Sequence, residues 1–167
     1  MRLLLSEPTT SFTIRAISSK LKGVRGLGGV EGITEVLNKL SELGLVDFVD
    51  NRRSVRVHDE CTSVRVLKSF SAICDLESLR EQLEPISTKA ILFGNRATGR
   101  AHSDSEYNLF VVSDRAEEVK QIASQHPLGK LIVTEVQTPE LYDEIDARDG
   151  ALALKLQGGL VLWSSRW

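Results

Sequence analysis

The chain has 167 residues, 41% hydrophobic and 26% charged, with a formal net charge of −2. That size suits one compact domain or two small ones, with enough apolar content for packed cores. No run approaches the roughly eighteen apolar residues of a membrane-spanning helix, and the opening MRLLLSEPTT turns polar too soon for a signal peptide, so no membrane partner is expected.

Charge is unevenly divided. Residues 1–67 carry ten Lys/Arg against eight Asp/Glu, whereas residues 68–167 carry eleven against fifteen. The first part can approach DNA, although it has no polybasic tail. Cys61 and Cys74 stand 13 positions apart without CxxC spacing, which favours free thiols in a reducing cytoplasm over a metal site. His58, His102 and His126 are scattered, with no ligand spacing to the cysteines.

In chain order, Leu3–Leu5 ends a short helix or strand that the Glu7-Pro8 turn stops. Ser11 or Thr13 can cap a second helix whose apolar face is Ile14, Ile17 and Leu21. The run KGVRGLGGVEG, with glycines at 23, 26, 28, 29 and 32, predicts a long pliant turn. Each such glycine weakens a helix by about 1 kcal/mol. A third helix is predicted from Val30 to Leu43, with Ile33, Val36, Leu37, Leu40 and Leu43 spaced to face inward and Gly44 ending it. LVDFVDNRRSVRVHD then reads as two apolar strands around the turn Asp50-Asn51-Arg52-Arg53.

That order over residues 1–60, with the run LNKLSELGLV, resembles the winged helix-turn-helix family. The resemblance implies that the helix at 30–43 enters the major groove of double-stranded DNA and that the hairpin lies along the backbone or minor groove. Its outward residues would be Glu31, Thr34, Glu35, Asn38, Lys39 and Ser41. Asn38 would pair bidentately with adenine, Thr34 would touch a thymine methyl, and Lys39 would meet phosphate. Arg52 and Arg53 would hold the backbone at the wing, and Arg25 would do so from the glycine turn. A single winged helix makes few phosphate contacts, so a homodimer is expected. The alternative is a protein-docking or structural module, since Glu31 and Glu35 would repel phosphate.

Between residues 62 and 84, Val66, Phe70, Ile73 and Cys74 form one stripe and Leu76, Leu79 and Leu83 a second. Asp75 can cap the second run, giving two short helices or one bent helix that Pro85 ends. Such a connector serves as a spacer or a dimer contact.

Lys89–Phe93 is predicted as a buried strand, Gly94 begins a turn, residues 96–99 form a short helix or loop, and Asn108–Val112 is the next strand. Asp114 and Glu117 have capping-box spacing for a helix to His126, where Pro127 and Gly129 stop it. Leu131–Val136 is a third strand, and Thr138-Pro139-Glu140 opens a helix with proline in its first turn. Residues 151–157 look helical, Gly158-Gly159 turns the chain, and Leu160–Trp163 returns as an edge strand.

Over residues 88–163, LFGNRATG and its spacing to SEYNLFVV resemble the minimal nucleotidyltransferases, small relatives of the polymerase-beta-type fold. The family pattern is a glycine-serine turn, an arginine, a glycine, a serine before Asp-x-Asp, and a third aspartate on a neighbouring strand. This chain has Gly94, Asn95, Arg96, Gly99, Ser105, Glu106-Tyr107-Asn108 and Glu135. Asn95 stands for the serine, and Glu106, Asn108 and Glu135 stand for the three aspartates. In the family those carboxylates bridge divalent metals over a triphosphate, and the x arises because only residues i and i+2 share a strand face.

Asn108 is a neutral amide and a poor bridge between two cations. Glu106 has a longer arm that shifts its oxygens, and a misplacement of about 1 Å can cost about a hundredfold in rate. Two-metal catalysis is therefore not expected. The resemblance still implies a remnant ligand site. Gly94 and Asn95 amides, with Arg96, Arg100 and Ser105, would hold a nucleotide's phosphates, and Glu106 with Glu135 would hold one Mg²⁺. The alternative is a plain scaffold with Arg96 paired to Glu106 or Asp104.

The expected architecture is α+β: a winged helix-turn-helix over 1–60, a helical connector over 61–87, and a nucleotidyltransferase-like mixed sheet with flanking helices over 88–167. The expected function is a cytoplasmic DNA-binding transcriptional regulator whose second half binds a ligand, dimerises or docks a partner. The alternative is a metal-dependent nucleotidyltransferase acting on a protein or small-molecule acceptor.

Overall fold

A computed structural model of the chain describes residues 1–21, 29–148 and 150–165. Two compact units emerge, Met1–Leu67 and Lys68–Trp167. The class is mixed α and β, with helices flanking a mixed sheet. Among the described residues, no helix is long and apolar enough to cross a membrane.

The first unit runs α1 (Arg2–Ser6), β1 (Phe12–Thr13), α2 (Ile14–Lys20), α3 (Gly29–Glu42), β2 (Val46–Val49) and β3 (Ser54–Val57). Its three strands form an antiparallel sheet in the order β1-β3-β2. Of the two possible caps for α2, Thr13 fills the role, its hydroxyl accepting the Ala16 amide at 3.1 Å. Gly44, at φ 68°, closes α3. Its amide donates to the Ser41 carbonyl and the Leu45 amide to the Leu40 carbonyl, both at 2.9 Å, the paired bonds of a Schellman motif. Val55, opposite both Phe12 and Phe48 in the ladder, is fully buried beneath Ile33 and Leu37 of α3 in the same core.

Two residues of the helix expected over Val30–Leu43 differ from expectation. Val36 is 43% and Leu43 69% exposed, although both have core spacing. Ile33 and Leu37 seat the helix, so Val36 falls at the rim of the buried seam. Leu43 lies just past the last helical residue, where the chain is already turning at Gly44.

The second unit begins within α4 (Thr62–Asp75) and continues through α5 (Glu77–Leu83), β4 (Lys89–Phe93), β5 (Tyr107–Val112), α6 (Ala116–Gln125), β6 (Ile132–Gln137), α7 (Pro139–Arg148), α8 (Gly150–Gln157) and β7 (Leu160–Ser164). The sheet order is β6-β5-β4-β7. Strand β5 pairs parallel to β6 and antiparallel to β4, and β7 closes the other edge antiparallel to β4. Leu109 and Val111 of β5 share a core with Leu76, Leu79, Val119 and Ala123. Phe110 and Val112, on the opposite face, pack with Ile91 against Tyr142, Ala153 and Leu156. Burial on both faces explains why YNLFVV reads as a continuous apolar run rather than an alternating one.

The connector stripe is a correction. Val66 and Phe70 are 62% and 61% exposed and Cys74 is exposed; only Ile73 is partly covered. The buried positions of α4 are Val64, Lys68 and Ala72, four apart, followed by Leu76, Leu79 and Leu83 as expected. Helical period alone cannot choose between two apolar stripes on one helix.

Asp75 does not cap α5. Leu76 occupies that position, and the Asp75 carboxylate instead accepts the Tyr107 hydroxyl at 2.8 Å. The Asp114–Glu117 capping box is likewise absent. Arg115 precedes α6 with no side-chain cap, its amide donating to Ser113 Oγ at 3.0 Å, while Glu117 pairs with Lys120 at 2.8 Å. A partner one turn along the helix competes with the reciprocal bond that a capping box needs. Cys61 immediately precedes α4, and bonds from the Val64 and Ser63 amides hold its thiol below the ordinary pKa.

His126 ends α6 and is buried. Its Nδ1 accepts the Leu128 amide at 3.1 Å, so Nε2 carries the proton and faces Ser78 Oγ at 3.0 Å. Burial holds its pKa below the ordinary 6.5. As pH falls, the unfolded chain therefore takes the proton first. The stabilising contribution is complete above the ordinary value and declines as pH drops through it towards the folded value. Denaturation midpoints of the second unit should fall across that window in the parent, and His126→Gln should reduce the slope. A slope identical in parent and variant would remove His126 as its source.

Candidate functional site

The first cluster joins α3 to the hairpin. At the hairpin turn the Arg53 amide donates to the Asp50 carbonyl at 3.1 Å, and Asp50, Asn51 and Arg52 all have left-handed φ, 52°, 54° and 64°. Asp and Asn tolerate this region, and arginine does so at some cost. Arg52 is held there by two tertiary contacts. Its guanidinium lies 4.1 Å from the Phe48 ring centroid, and Nη2 donates to Asn38 Oδ1 at 2.7 Å. Two residues expected to reach DNA separately are thus bonded to each other.

On the same helix, Lys39 pairs with Glu35 at 2.9 Å. Their hydrogen bond lowers the carboxyl pKa and raises that of the ammonium. The pair neutralises one acidic residue of the face. Thr34 Oγ1 donates to the Val30 carbonyl at 2.7 Å. Arg53 is exposed at the turn, and Arg25 lies outside the described residues.

Sequence reasoning overlooked Arg56 and Arg15. Arg56 is exposed on β3 opposite Asp47, between the buried Val55 and Val57, and strand alternation was the signal that could have marked it. Arg15, also exposed, follows Ile14, whose amide donates to the Arg53 carbonyl at 3.4 Å. The backbone of α2 therefore starts beside the turn of the β2–β3 hairpin.

The second cluster surrounds the Gly94 turn at the end of β4. Gly94 has φ 74°, and a Cβ there would lie 3.3 Å from Asn108 Nδ2. The Asn108 amide thus closes over the glycine, and a side chain at 94 would be strained by both its φ and this approach. The amide and hydroxyl of Thr98 donate to the Gly94 carbonyl at 3.1 and 3.2 Å, and the Arg100 amide to the Asn95 carbonyl at 2.9 Å. Asn95 and Arg100 are exposed.

Arg96 is held inside the loop. Nε and Nη2 donate to the Ser105 carbonyl at 3.1 and 2.9 Å, Nη2 reaches the Ser103 carbonyl at 3.3 Å, and the guanidinium stacks 4.3 Å from the Tyr107 centroid. Ser105 Oγ accepts the His102 amide at 2.8 Å. Tyr107, the x of Glu106-x-Asn108, has its own role: it carries Arg96 on its ring and bonds Asp75 through its hydroxyl.

In the ladder Asn108 stands opposite Phe93 on β4 and Val133 on β6, while Glu135 stands opposite Phe110. Asn108 and Glu135 therefore share a sheet face, one pleat apart. Glu106 is exposed just before β5. Among the described residues, no three His, Cys, Asp or Glu side chains are grouped to hold a metal ion.

No protein-family model and no curated protein matches the chain. A crystal structure at 1.40 Å described as a candidate nucleotidyltransferase from Sulfolobus solfataricus is similar over 60% of this chain and 87% of that one, at 13% identity and a TM-score of 0.41. This is a weak structural resemblance to a nucleotidyltransferase-like fold.

Proposed function

We propose that this chain is a DNA-binding regulator, with a winged helix-turn-helix over residues 1–60 and a non-catalytic nucleotidyltransferase-like second half. The observation that carries the reading is the bond from Arg52 to Asn38, which ties the hairpin turn to the exposed face of α3. Helix and wing then present one rigid surface, with Arg53 and Arg56 exposed beside it. The element order and the sheet order β1-β3-β2 support it as well. DNA binding by a dimer fits the small number of phosphate contacts one such unit can make.

For the second half, a neutral amide at Asn108 and an internally bonded Arg96 argue against metal-assisted transfer. The residues that remain for a nucleotide are the exposed Asn95 and Arg100, with Mg²⁺ left to Glu106 and Glu135. Phosphate affinity there would rest on backbone amides and one mobile cation.

The test is duplex selection from a random library with the full chain, followed by salt titration. The parent should bind a preferred duplex, and Arg53→Ala with Arg56→Ala should weaken it about tenfold or more and reduce the salt slope by about 2. Absence of duplex binding at low salt, or an unchanged slope, would sink the DNA reading. Labelled ribonucleoside triphosphates with Mg²⁺ should leave chain and acceptors unlabelled. Label that Glu106→Ala abolishes would favour the transferase instead.

A further inference from the structure

We infer that the cavity between β4, β7 and the helices α7 and α8 binds a small carboxylate with an apolar tail, its acid group held by Lys89 and Tyr142. The cavity measures about 370 Å³, within the range of roughly 300–1,000 Å³ typical of small-molecule sites. It lies on the sheet face of Ile91 and Phe110. In the ladder Lys89 stands opposite Val112 and Phe93 opposite Asn108. The charged end of the cavity is therefore about 13 Å along β4 from Phe93, away from the Gly94 turn and the Asn108 amide.

Lys89 opens β4 and alternates with Ile91, and both side chains line the cavity. Lys89 Nζ donates to the Tyr142 hydroxyl oxygen at 2.6 Å, in a part-buried position. An ammonium has three hydrogens, and a phenol that accepts one bond keeps its own hydrogen to give. Among the described residues, Lys89 forms no ion pair and the Tyr142 hydroxyl finds no acceptor. A cation drawn partly out of water is costly until a counter-charge meets it. The two side chains offer adjacent N–H and O–H donors of the kind that the two oxygens of one carboxylate accept together. Asp143 lines the exposed rim and has a partner of its own; its charge disfavours a polyanion such as a triphosphate. A single acid group suits the site.

The remaining wall is mostly apolar, formed by Ile91, Ala153, Leu156 and Val161, with the Gln157 amide at the exposed edge. Ile91 is buried, but Val161, its partner in the ladder, is 52% exposed. The helices thus leave an apolar strand residue bare in the same cavity as a half-buried cation. A short aliphatic carboxylate complements both, covering Val161 with its chain while its acid group meets Lys89.

Titration of the full chain with hexanoate, butanoate and hexylamine, followed through the amide shifts of nitrogen-15-labelled protein, tests the inference. Hexanoate should bind in the millimolar range or tighter and shift amides of β4, β7 and α8. Butanoate, with a chain two methylenes shorter, should bind about tenfold more weakly. Lys89→Met keeps a long side chain without its charge and should weaken hexanoate by about tenfold or more. Ala153→Leu, which fills the apolar end, should abolish binding with Lys89 still in place. Absence of hexanoate binding to the parent, or equal binding by the parent and Lys89→Met, would overturn the inference. Hexylamine bound as tightly as hexanoate, or shifts confined to the Gly94 turn, would do so too. No DNA is present, so none of these outcomes bears on the DNA reading.

Discussion

Phe110→Ala should lower the stability of the second unit by about 3–5 kcal/mol, the range for deleting a fully buried aromatic side chain. Phe110 is 0% exposed at the centre of β5, and its ring lies 5.8 Å from that of Tyr142 on α7. With Ile91 and Val112 it forms the small core on that sheet face, so few neighbours can collapse into the space. Both tryptophans follow residue 67 in the sequence, Trp163 is buried in this unit, and fluorescence during denaturation reports on it. A midpoint within experimental error of the parent would mean that α7 and α8 do not cover this face in solution.

Gly129→Ala should cost about 2 kcal/mol or more, although glycine 129 has no left-handed φ to explain it. The reason is proximity. A Cβ there would overlap the Ser124 carbonyl oxygen and stand 3.0 Å from that of Ala123. Both are backbone atoms in the last turns of α6, which cannot swing aside as a side-chain end does. Gly158→Ala is the control, with nothing within 4 Å of its Cβ, and should stay within about 0.5 kcal/mol of the parent. Equal destabilisation by the two substitutions would show that lost backbone freedom, not the close approach, governs position 129.

Gly129 also shows how far a sequence can be read. Its place after His126 and Pro127 was enough to predict that α6 stops there, because helix termination is a local preference. The carbonyl it leans on is five residues back, and only the folded chain brings them together. Asp75 shows the same limit over a longer separation. Its position before a leucine run suggested a helix cap, yet its carboxylate goes to Tyr107, 32 residues away. The resemblance implies that Arg96 is a phosphate ligand. Its bonds to the Ser103 and Ser105 carbonyls depend on how the loop folds back.

The amino-acid order alone settled what depends on neighbours along the chain. It placed the strand at Lys89–Phe93, the Gly44 terminator and the proline start of α7, and it set the charge at position 108. Those features follow from backbone preference, side-chain period and formal charge, which act over a few residues. The tertiary structure decided which of two apolar stripes on α4 is covered. It also bonded Arg52 to Asn38 across 14 positions and set Asn108 against Gly94. Such contacts pair groups distant in sequence, and their partners compete until the core has closed.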